Sequence, residues 1–307
     1  MAKRIILLFT LAILFFSFKE KESQWIDLLN YKDFSNWNVF VLKPEKRGEN
    51  ENEMKNPPGW LLPKVFISDN PDSSAFKFET IDNKKVLHLS GELMGFLTSK
   101  QEYENYHLKM KFKFGKKWAW LGDRPRDGGI FYHVIHASSK EEKATHEFNI
   151  HDGDIGSYWS FGGYAEIPCK LSKDLPGSIK SIISILKPVI PSLKDSMYRF
   201  DSNGGIRTFS NSIKDMQICI VNPVADKPFG EWNELDLICL SDTVIHAVNG
   251  KVVMVLYNSR YKSDESKLVP LKKGAIKIQS EGGEQFIEYI KISRIKEIPM
   301  EFKYSVK

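Results

Sequence analysis

The alternation of hydrophobic and polar residues along the chain predicts many short β-strands and almost no helix. The clearest case is residues 107–114, where four apolar side chains alternate with one histidine and three lysines. This pattern is typical of a strand that buries one face. Turn signals separate such segments, and Asn249 followed by Gly250 is the strongest hairpin signal. A second hairpin is expected at Asp82 and Asn83.

Many short strands joined by turns favour an all-β, antiparallel β-sandwich. One stretch departs from this pattern, because residues 170–215 carry an amphipathic helical segment at 179–186. We therefore expect a short helical insertion at 170–215. Neither an internal repeat nor a long linker divides the rest, which predicts one domain over residues 24–297.

The N-terminus has the composition of an export signal. Lys3 and Arg4 precede an apolar run over residues 5–18, after which charged residues return. The run is short for a membrane span, so a cleaved signal peptide over residues 1–18 is favoured over an anchor. A periplasmic or secreted protein follows from this, with no membrane span after the signal segment.

The charge and the cysteine content limit which partners and metal sites the sequence predicts. The formal net charge of +5 comes without a long basic run, so nucleic acid is not an expected partner. The cysteines are Cys169, Cys219 and Cys239, and their spacing does not match a zinc site. Either one disulfide or buried free thiols would fit them.

Candidate chemistry concentrates in residues 146–159. If this stretch begins as a strand, Glu147, Asn149 and His151 share one face, while Phe148 and Ile150 point into a core. One face would then present a carboxylate, an amide and an imidazole in a row. The alternative is an ordinary half-exposed strand with a solvated outer face.

Further along the same stretch, Asp154 follows Gly153 and either reaches the site or closes a turn. Tyr158 and Trp159 offer flat apolar surfaces suited to sugar rings, or belong to the core.

Other segments can contribute to the same face. Residues 130–135 read as a strand in which His133 shares a face with Phe131, so pairing with 146–151 would place His133 beside Glu147. Gln279 and Glu281 share a face of a later strand and can join the cleft. Arg124 and Arg126 lie in the turn before the strand at 130–135, where they either bind an oxyanion or remain solvated. Trp37 and Trp232 are assigned to the core.

Several of these segments together resemble the 3-keto-disaccharide hydrolase domain family. Each motif is weak alone, but their order along the chain follows that of the family. The matching segments are 27–37, 95–99 with Tyr103, 128–134, 147–150, 153–159, 230–233, 249–251, 279–282 and 286–292.

The resemblance implies a jelly-roll sandwich of the concanavalin A-like, laminarinase-like type, export, and action on glycosides already oxidised at C3. The chain departs from the family at three places. Asp127 and Gly128 precede Gly129 where the family often has Asn-Ser-Gly, Asn149 and His151 replace two glutamines, and Ser157 replaces an acid.

A ketone at C3 acidifies the proton on C2, so a base can remove it, the enolate can expel the group at C1, and water can then add. The expected catalytic residues are Glu147, His133 and Glu281. A divalent metal ion would stabilise the enolate, with Glu147, His133 and His151 as candidate ligands. The expected substrate-binding residues are Asn149, His151, Asp154, Tyr158, Trp159, Gln279, Arg124 and Arg126.

Two other functions stay open from the sequence. The first is a non-catalytic carbohydrate-binding module, because sandwiches host both enzymes and binders. The second is a conventional glycoside hydrolase, which would need carboxylates in the order E-x-D-x-x-E. Glu147-x-Asn149-x-His151 does not match that order.

Overall fold

The structure is a computed structural model, and it describes residues 24–41, 75–118, 126–136, 142–187, 194–211 and 217–305. The expected signal peptide, residues 1–18, and Arg124 lie outside the described residues. The elements follow in this order: β1 (Ile26–Asp27), β2 (Trp37–Val41), β3 (Phe76–Ile81), β4 (Lys84–Leu89), β5 (Gly95–Glu104), β6 (Tyr106–Trp118), β7 (Asp127–His136), β8 (Glu142–Asn149), β9 (Tyr158–Phe161), β10 (Gly163–Ser172), α1 (Gly177–Leu186), β11 (Met197–Phe200), β12 (Gly205–Phe209), β13 (Ile218–Cys219), β14 (Asn233–Leu240), β15 (Thr243–Val248), β16 (Lys251–Lys262), β17 (Leu268–Pro270), β18 (Lys273–Glu281), β19 (Gly283–Arg294) and a 3-10 helix (Met300–Ser305).

The strands form two antiparallel sheets. The larger runs β11-β10-β16-β15-β14-β6-β19-β4-β3, with β1 beside β19, β12 beside β10 and β17 beside β16. The smaller, seven-stranded sheet runs β13-β9-β8-β7-β18-β5-β2. Every strand pairing within them is antiparallel, so the predicted all-β sandwich is confirmed.

The core lies between the sheets and uses the alternating positions that the sequence indicated. In β6 the apolar side chains at Leu108, Met110 and Phe112 are fully buried. From the smaller sheet, Phe148 and Ile278 meet them in the same cluster. Burial of such side chains contributes about 1.5–3 kcal/mol each, which makes this interface the main source of stability.

Both expected hairpins form. Asn249 and Gly250 have φ values of +50° and +76°, and they join β15 to β16. Asp82 and Asn83, at +50° and +62°, join β3 to β4. Two successive residues in the left-handed region match the twist of the flanking strands, and asparagine, aspartate and glycine tolerate that region best.

The stretch 170–215 is not a purely helical insertion. It contains helix α1 as expected, but β11 and β12 follow, and both pair with β10 to extend the larger sheet. Most residues of β12 are exposed, so it lacks the alternation that would reveal a half-buried strand.

A β-bulge in β7 decides which side chains reach the site. The pairing of β7 with β8 shifts between Tyr132 and Ile135, and His133 has φ +54°. An extra residue reverses the alternation beyond it. Val134 therefore packs with Phe131 and Ala275 in a cluster separate from the main core.

The three cysteines are buried and their thiols are free. Within the part of the chain that the structure describes, no helix is long and apolar enough to cross a membrane.

Candidate active site

The candidate site is the face of the seven-stranded sheet turned away from the core, which we call the site face. Glu147 and Asn149 in β8 reach it, because Phe148 between them is buried in the core. Gly129 lies opposite Asn149, and Phe131 lies opposite Glu147. On the next strand, the residues that share this face are Lys277, Gln279 and Glu281, opposite Phe131, Gly129 and Asp127 in turn.

A hollow at Gly129 forms the centre of the site face. A Cβ placed on Gly129 would lie 2.2 Å from Oε1 of Glu147 and 3.2 Å from Oε1 of Gln279. The first distance is far below van der Waals contact, so any side chain here would displace the Glu147 carboxylate. The missing side chain of Gly129 leaves a recess in the backbone that the Glu147 carboxylate fills, and we call this recess, with Oε1 of Glu147 in it and Oε1 of Gln279 at its edge, the Gly129 hollow.

The environment of Glu147 favours its protonated form. Only 5% of the residue is exposed, and this burial is the largest of the causes that raise the pKa of its carboxyl well above the usual value. The negative charges of Asp127 and Glu281 raise the pKa further, whereas the Lys277 ammonium lowers it. A buried carboxylate with a raised pKa in a recess is a common property of catalytic bases.

Two polar atoms flank Glu147 without partners. Trp159 lies directly opposite Glu147 on β9, and its indole Nε1 is buried with no hydrogen-bond partner in the described part of the chain. The same holds for Oε1 of Gln279, whereas its Nε2 donates to Oε2 of Glu281 at 2.6 Å. Buried polar groups normally find partners, so these atoms point to a ligand.

Aromatic side chains cover the other end of the site face. The rings of Phe131 and Phe161 are 5.4 Å apart, and Phe161 stacks nearly parallel to Trp159 at 6.5 Å. Lys277 places its ammonium 4.8 Å from the Phe131 ring and 4.7 Å from the Phe96 ring, and it also pairs with Glu142. The site face therefore has a polar end at Gly129 and an aromatic end at Phe131.

His133 does not lie beside Glu147, so this expectation is wrong. The bulge turns its ring into the interior, 5.8 Å from the ring of Tyr106 and 5.5 Å from that of Tyr132. Burial lowers the pKa of His133 to about 4. Of the three expected catalytic residues, the structure brings only Glu147 and Glu281 together.

His151 also leaves the expected row, because β8 ends at Asn149. Its Nδ1 pairs with Oδ1 of Asp154. The same Oδ1 accepts a hydrogen bond from Ser178 Oγ at 2.9 Å, and Oδ2 of Asp154 accepts one from Ser157 Oγ at 2.7 Å. Burial works against protonation of the ring, but the charge and hydrogen bond of Asp154 prevail and raise the pKa of His151 to about 9. This buried ion pair attaches the loop after β8 to α1.

Tyr158 and Arg126 are likewise engaged in the protein itself. The Tyr158 hydroxyl is fully buried, 2.8 Å from Nδ1 of His146, on the core side of β9. Arg126 forms an ion pair with Asp152 at 3.3 Å, and its guanidinium lies 4.0 Å from the ring centre of Phe229.

The two tryptophans assigned to the core behave differently. Trp37 is buried as expected. Trp232 is only partly buried, with the Lys113 ammonium 4.9 Å from its ring, so that assignment is wrong.

Sequence reasoning missed two charged residues of the site face. Asp127 was noted only as a departure from the family, although it precedes Gly129 by two positions and therefore shares its face. Lys277 precedes Gln279 by two positions and follows the same rule, but one lysine in an alternating strand resembles any solvated residue. In both cases the signal was strand parity, which becomes informative only when the strand pairing is known.

The expected metal ligands do not fit a common ion. Among the residues that the structure describes, no group of three or more histidine, cysteine, aspartate or glutamate side chains is arranged to hold a metal. Glu147 faces the hollow, His133 faces the core, and His151 is paired with Asp154.

Together with the family to which the chain belongs, the fold and the site face define a carbohydrate-active β-sandwich domain. Residues 24–293, most of the chain, match the family described as the 3-keto-alpha-glucoside-1,2-lyase-like domain. The protein belongs to this family, as its motifs indicated.

The solved structures that are similar to this chain share little of its sequence. A candidate glycosyl hydrolase from Parabacteroides distasonis is 15% identical, with 89% of this chain and 94% of that chain covered and a TM-score of 0.44. A Bacteroides ovatus GH16 protein of a mixed-linkage glucan locus is 10% identical, covering 88% and 99%, with a TM-score of 0.43. The carbohydrate-binding module CBM66 from Bacillus subtilis is 7% identical, covering 71% and 91%, with a TM-score of 0.38. No curated protein matches the chain.

Proposed function

We propose that this protein is an exported enzyme that cleaves the glycosidic bond of glycosides oxidised at C3. The observation that carries the proposal is the buried carboxylate of Glu147, which faces the Gly129 hollow and has a raised pKa. Family membership supports the same reaction class. Export rests on the composition of residues 1–18.

Glu147 acts as the general base in this proposal. The C3 ketone makes the C2 proton acidic enough for a carboxylate to remove, and a base with a raised pKa accepts that proton more readily than an ordinary one. The proton moves to Glu147, and the electron pair is delocalised onto the ketone oxygen as an enolate.

The enolate then re-forms the ketone and a C1–C2 double bond, while the C1–O bond breaks and its electron pair leaves with the departing oxygen. That oxygen takes up a proton. Water then adds at C1, and a proton returns to C2, so the net reaction is hydrolysis. The Lys277 ammonium places a positive charge on the site face. This charge stabilises the negative charge that develops on the sugar during the elimination.

The remaining residues of the site face orient the sugar. Asn149 adjoins Glu147 on the same face, and Trp159 adds an indole N–H and a flat surface. The aromatic end is suited to an apolar face of the leaving group. His133, His151, Asp154, Tyr158 and Arg126 have no direct role here, because their side chains are engaged elsewhere.

A carbohydrate-binding module remains the second candidate, because Trp159 and Phe161 stack as a platform suited to sugar rings. Binding without turnover would need only that platform. The raised pKa of Glu147 favours the enzyme, since a binding surface has no need of a poised base.

The deciding experiment compares a 3-keto-glucoside with its unoxidised parent, using wild type, Glu147→Gln and the control Glu265→Gln at an exposed position. We expect release of the aglycone from the keto substrate only. Turnover should fall by about 10²- to 10⁴-fold in Glu147→Gln and stay unchanged in the control.

Other outcomes decide between the alternatives. Binding of sugar without release would favour the module, and cleavage of the unoxidised parent would favour an ordinary glycosidase. Full activity in Glu147→Gln would refute the role of this residue. A parallel assay with a chelator tests the divalent ion that the chemistry allows.

A further inference from the structure

The buried carboxamide of Gln279 has a fixed orientation. Gln279 is 5% exposed, and its Nε2 lies 2.6 Å from Oε2 of Glu281. An ionised carboxylate only accepts hydrogen bonds, so the amide nitrogen must face Glu281. The amide oxygen is thereby directed toward the Gly129 hollow.

Two side-chain oxygens lie next to each other at the Gly129 hollow. Oε1 of Gln279 has no hydrogen-bond partner among the described residues, and Oε1 of Glu147 faces the same space. An acceptor buried without a partner is unfavourable, so Oε1 of Gln279 favours a ligand group that donates a hydrogen bond. A hydroxyl group fits this requirement, whereas a ketone or an ether oxygen does not.

We propose that Gln279 is a specificity-determining residue, whose amide oxygen accepts a hydrogen bond from the C2 hydroxyl of the oxidised sugar. The assignment to C2 rests on the proposed function, because Glu147 removes the hydrogen of that carbon and the two acceptors border one hollow. The hydroxyl and the reacting hydrogen are then held by two neighbouring oxygens. The ketone at C3 is excluded from this position, since it has no proton to donate.

A second glutamine provides a matched control. Gln285 in β19 is fully buried, and its Oε1 also has no partner within the described ranges. Its Nε2 donates to the backbone oxygen of Asp127 at 3.2 Å. A Cβ at Gly128 would meet this amide, whereas one at Gly129 would meet Gln279, so the two glutamines approach β7 from opposite faces.

The test measures binding with a ligand that cannot be cleaved. The 3-keto derivative of 1,5-anhydroglucitol has no leaving group at C1, and its 2-deoxy analogue lacks the hydroxyl in question. Dissociation constants for both are measured by calorimetry with wild type, Gln279→Leu and Gln285→Leu. Urea unfolding of each variant reports whether it is folded.

We expect wild type and Gln285→Leu to bind the hydroxylated ligand roughly 10- to 100-fold more tightly than the deoxy analogue. In Gln279→Leu this preference should nearly disappear. A ratio of affinities is insensitive to general loss of stability, so a purely structural role of Gln279 would leave it unchanged.

Absence of the preference in wild type, or its survival in Gln279→Leu, would overturn the inference. The proposed reaction is tested independently of this binding preference. If the preference depends on Gln279 but no keto-glycoside is turned over, the elimination is refuted while the hydroxyl-selective site stands.

Discussion

Neighbouring residues of β8 show how differently the two faces of one sheet use burial. His146 points to the core, where burial lowers its pKa well below the usual value, and Glu147 points to the site face, where burial raises its pKa. Both shifts disfavour the charged form. The imidazole, however, lies 2.8 Å from Tyr158 Oη and 2.8 Å from Ser259 Oγ, so both of its nitrogens have partners within the protein.

The difference between these two residues is therefore one of hydrogen bonding rather than burial. His146 is held neutral with both ring nitrogens satisfied inside the protein. Beside Glu147, Nε1 of Trp159 and Oε1 of Gln279 are buried with no partner among the described residues. The core has such atoms too, including both ring nitrogens of His133, so an unpartnered buried atom indicates a ligand only where other polar groups converge on it.

The largest effect on the free energy of unfolding should come from protonation of His133 on the core face. His133 is neutral in the folded state because burial lowers its pKa to about 4, whereas in the unfolded chain it titrates near 6.5. The unfolded state thus binds more protons, so this stability is present above pH 6.5 and is lost as pH falls through 4. The loss attributable to this imidazole is roughly 3 kcal/mol between pH 6.5 and pH 4.

His133→Asn tests this expectation, because asparagine tolerates a positive φ and does not titrate. The quantity to measure is the slope of the unfolding free energy against pH, obtained from urea titrations at several pH values. The slope should be shallower in this variant and unchanged in His136→Asn, which removes an exposed imidazole of the same strand. Equal slopes for wild type and His133→Asn would contradict the explanation.

The next largest effect should come from Gly129→Ala on the site face, and it should be a loss of turnover rate. In Gly129→Ala the new Cβ would lie 2.2 Å from Oε1 of Glu147, so the carboxylate must move. Displacing a catalytic group by about 1 Å can cost on the order of 10²-fold in rate. Gly177→Ala is the control, since nothing lies within 4 Å of a Cβ there. Steady-state kinetics with a 3-keto-glucoside should separate the two, and equal rates would show that the hollow is not used.

The smallest effect should come from Asp127→Asn. Asp127 raises the pKa of Glu147 through its negative charge, so neutralising it should lower that pKa. In the proposed reaction the ionised form of Glu147 is the base, so activity should rise with pH through this pKa, and the rising limb of the kcat/KM profile should move to lower pH. Asp264→Asn, at an exposed position, should leave the limb unmoved. A shift to higher pH would contradict the electrostatic assignment.

The sequence allowed the sandwich, both hairpins and the outward orientation of Glu147 on β8 to be predicted from local patterns. Alternation around Phe148 assigns its neighbours to the outer face whatever the partner strands are. The same reasoning failed for His133, because one extra residue in β7 reverses the parity, and nothing in residues 130–135 signals a bulge. Parity is reliable only as far as the strand is regular.

Other features depended on contacts between distant segments. Whether His151 would reach the cleft was decided by Asp154 and by Ser178 of α1, which the strand pattern does not report. Lys277 was indistinguishable from a solvated lysine until β18 was placed next to β7. Pairing partners, rather than the character of any single strand, separated the residues of the site from the rest.

The bulge at His133 also divides β7 into two segments that differ in their register with β8. The first half, from Asp127 to Phe131, holds the register of the site, and the second half ends at His136. Because a bulge absorbs a change in residue count locally, additions or losses beyond it leave the first half in place. An insertion or deletion after the bulge would therefore change the register of the second segment and leave the alignment of Gly129 with Asn149 as it is.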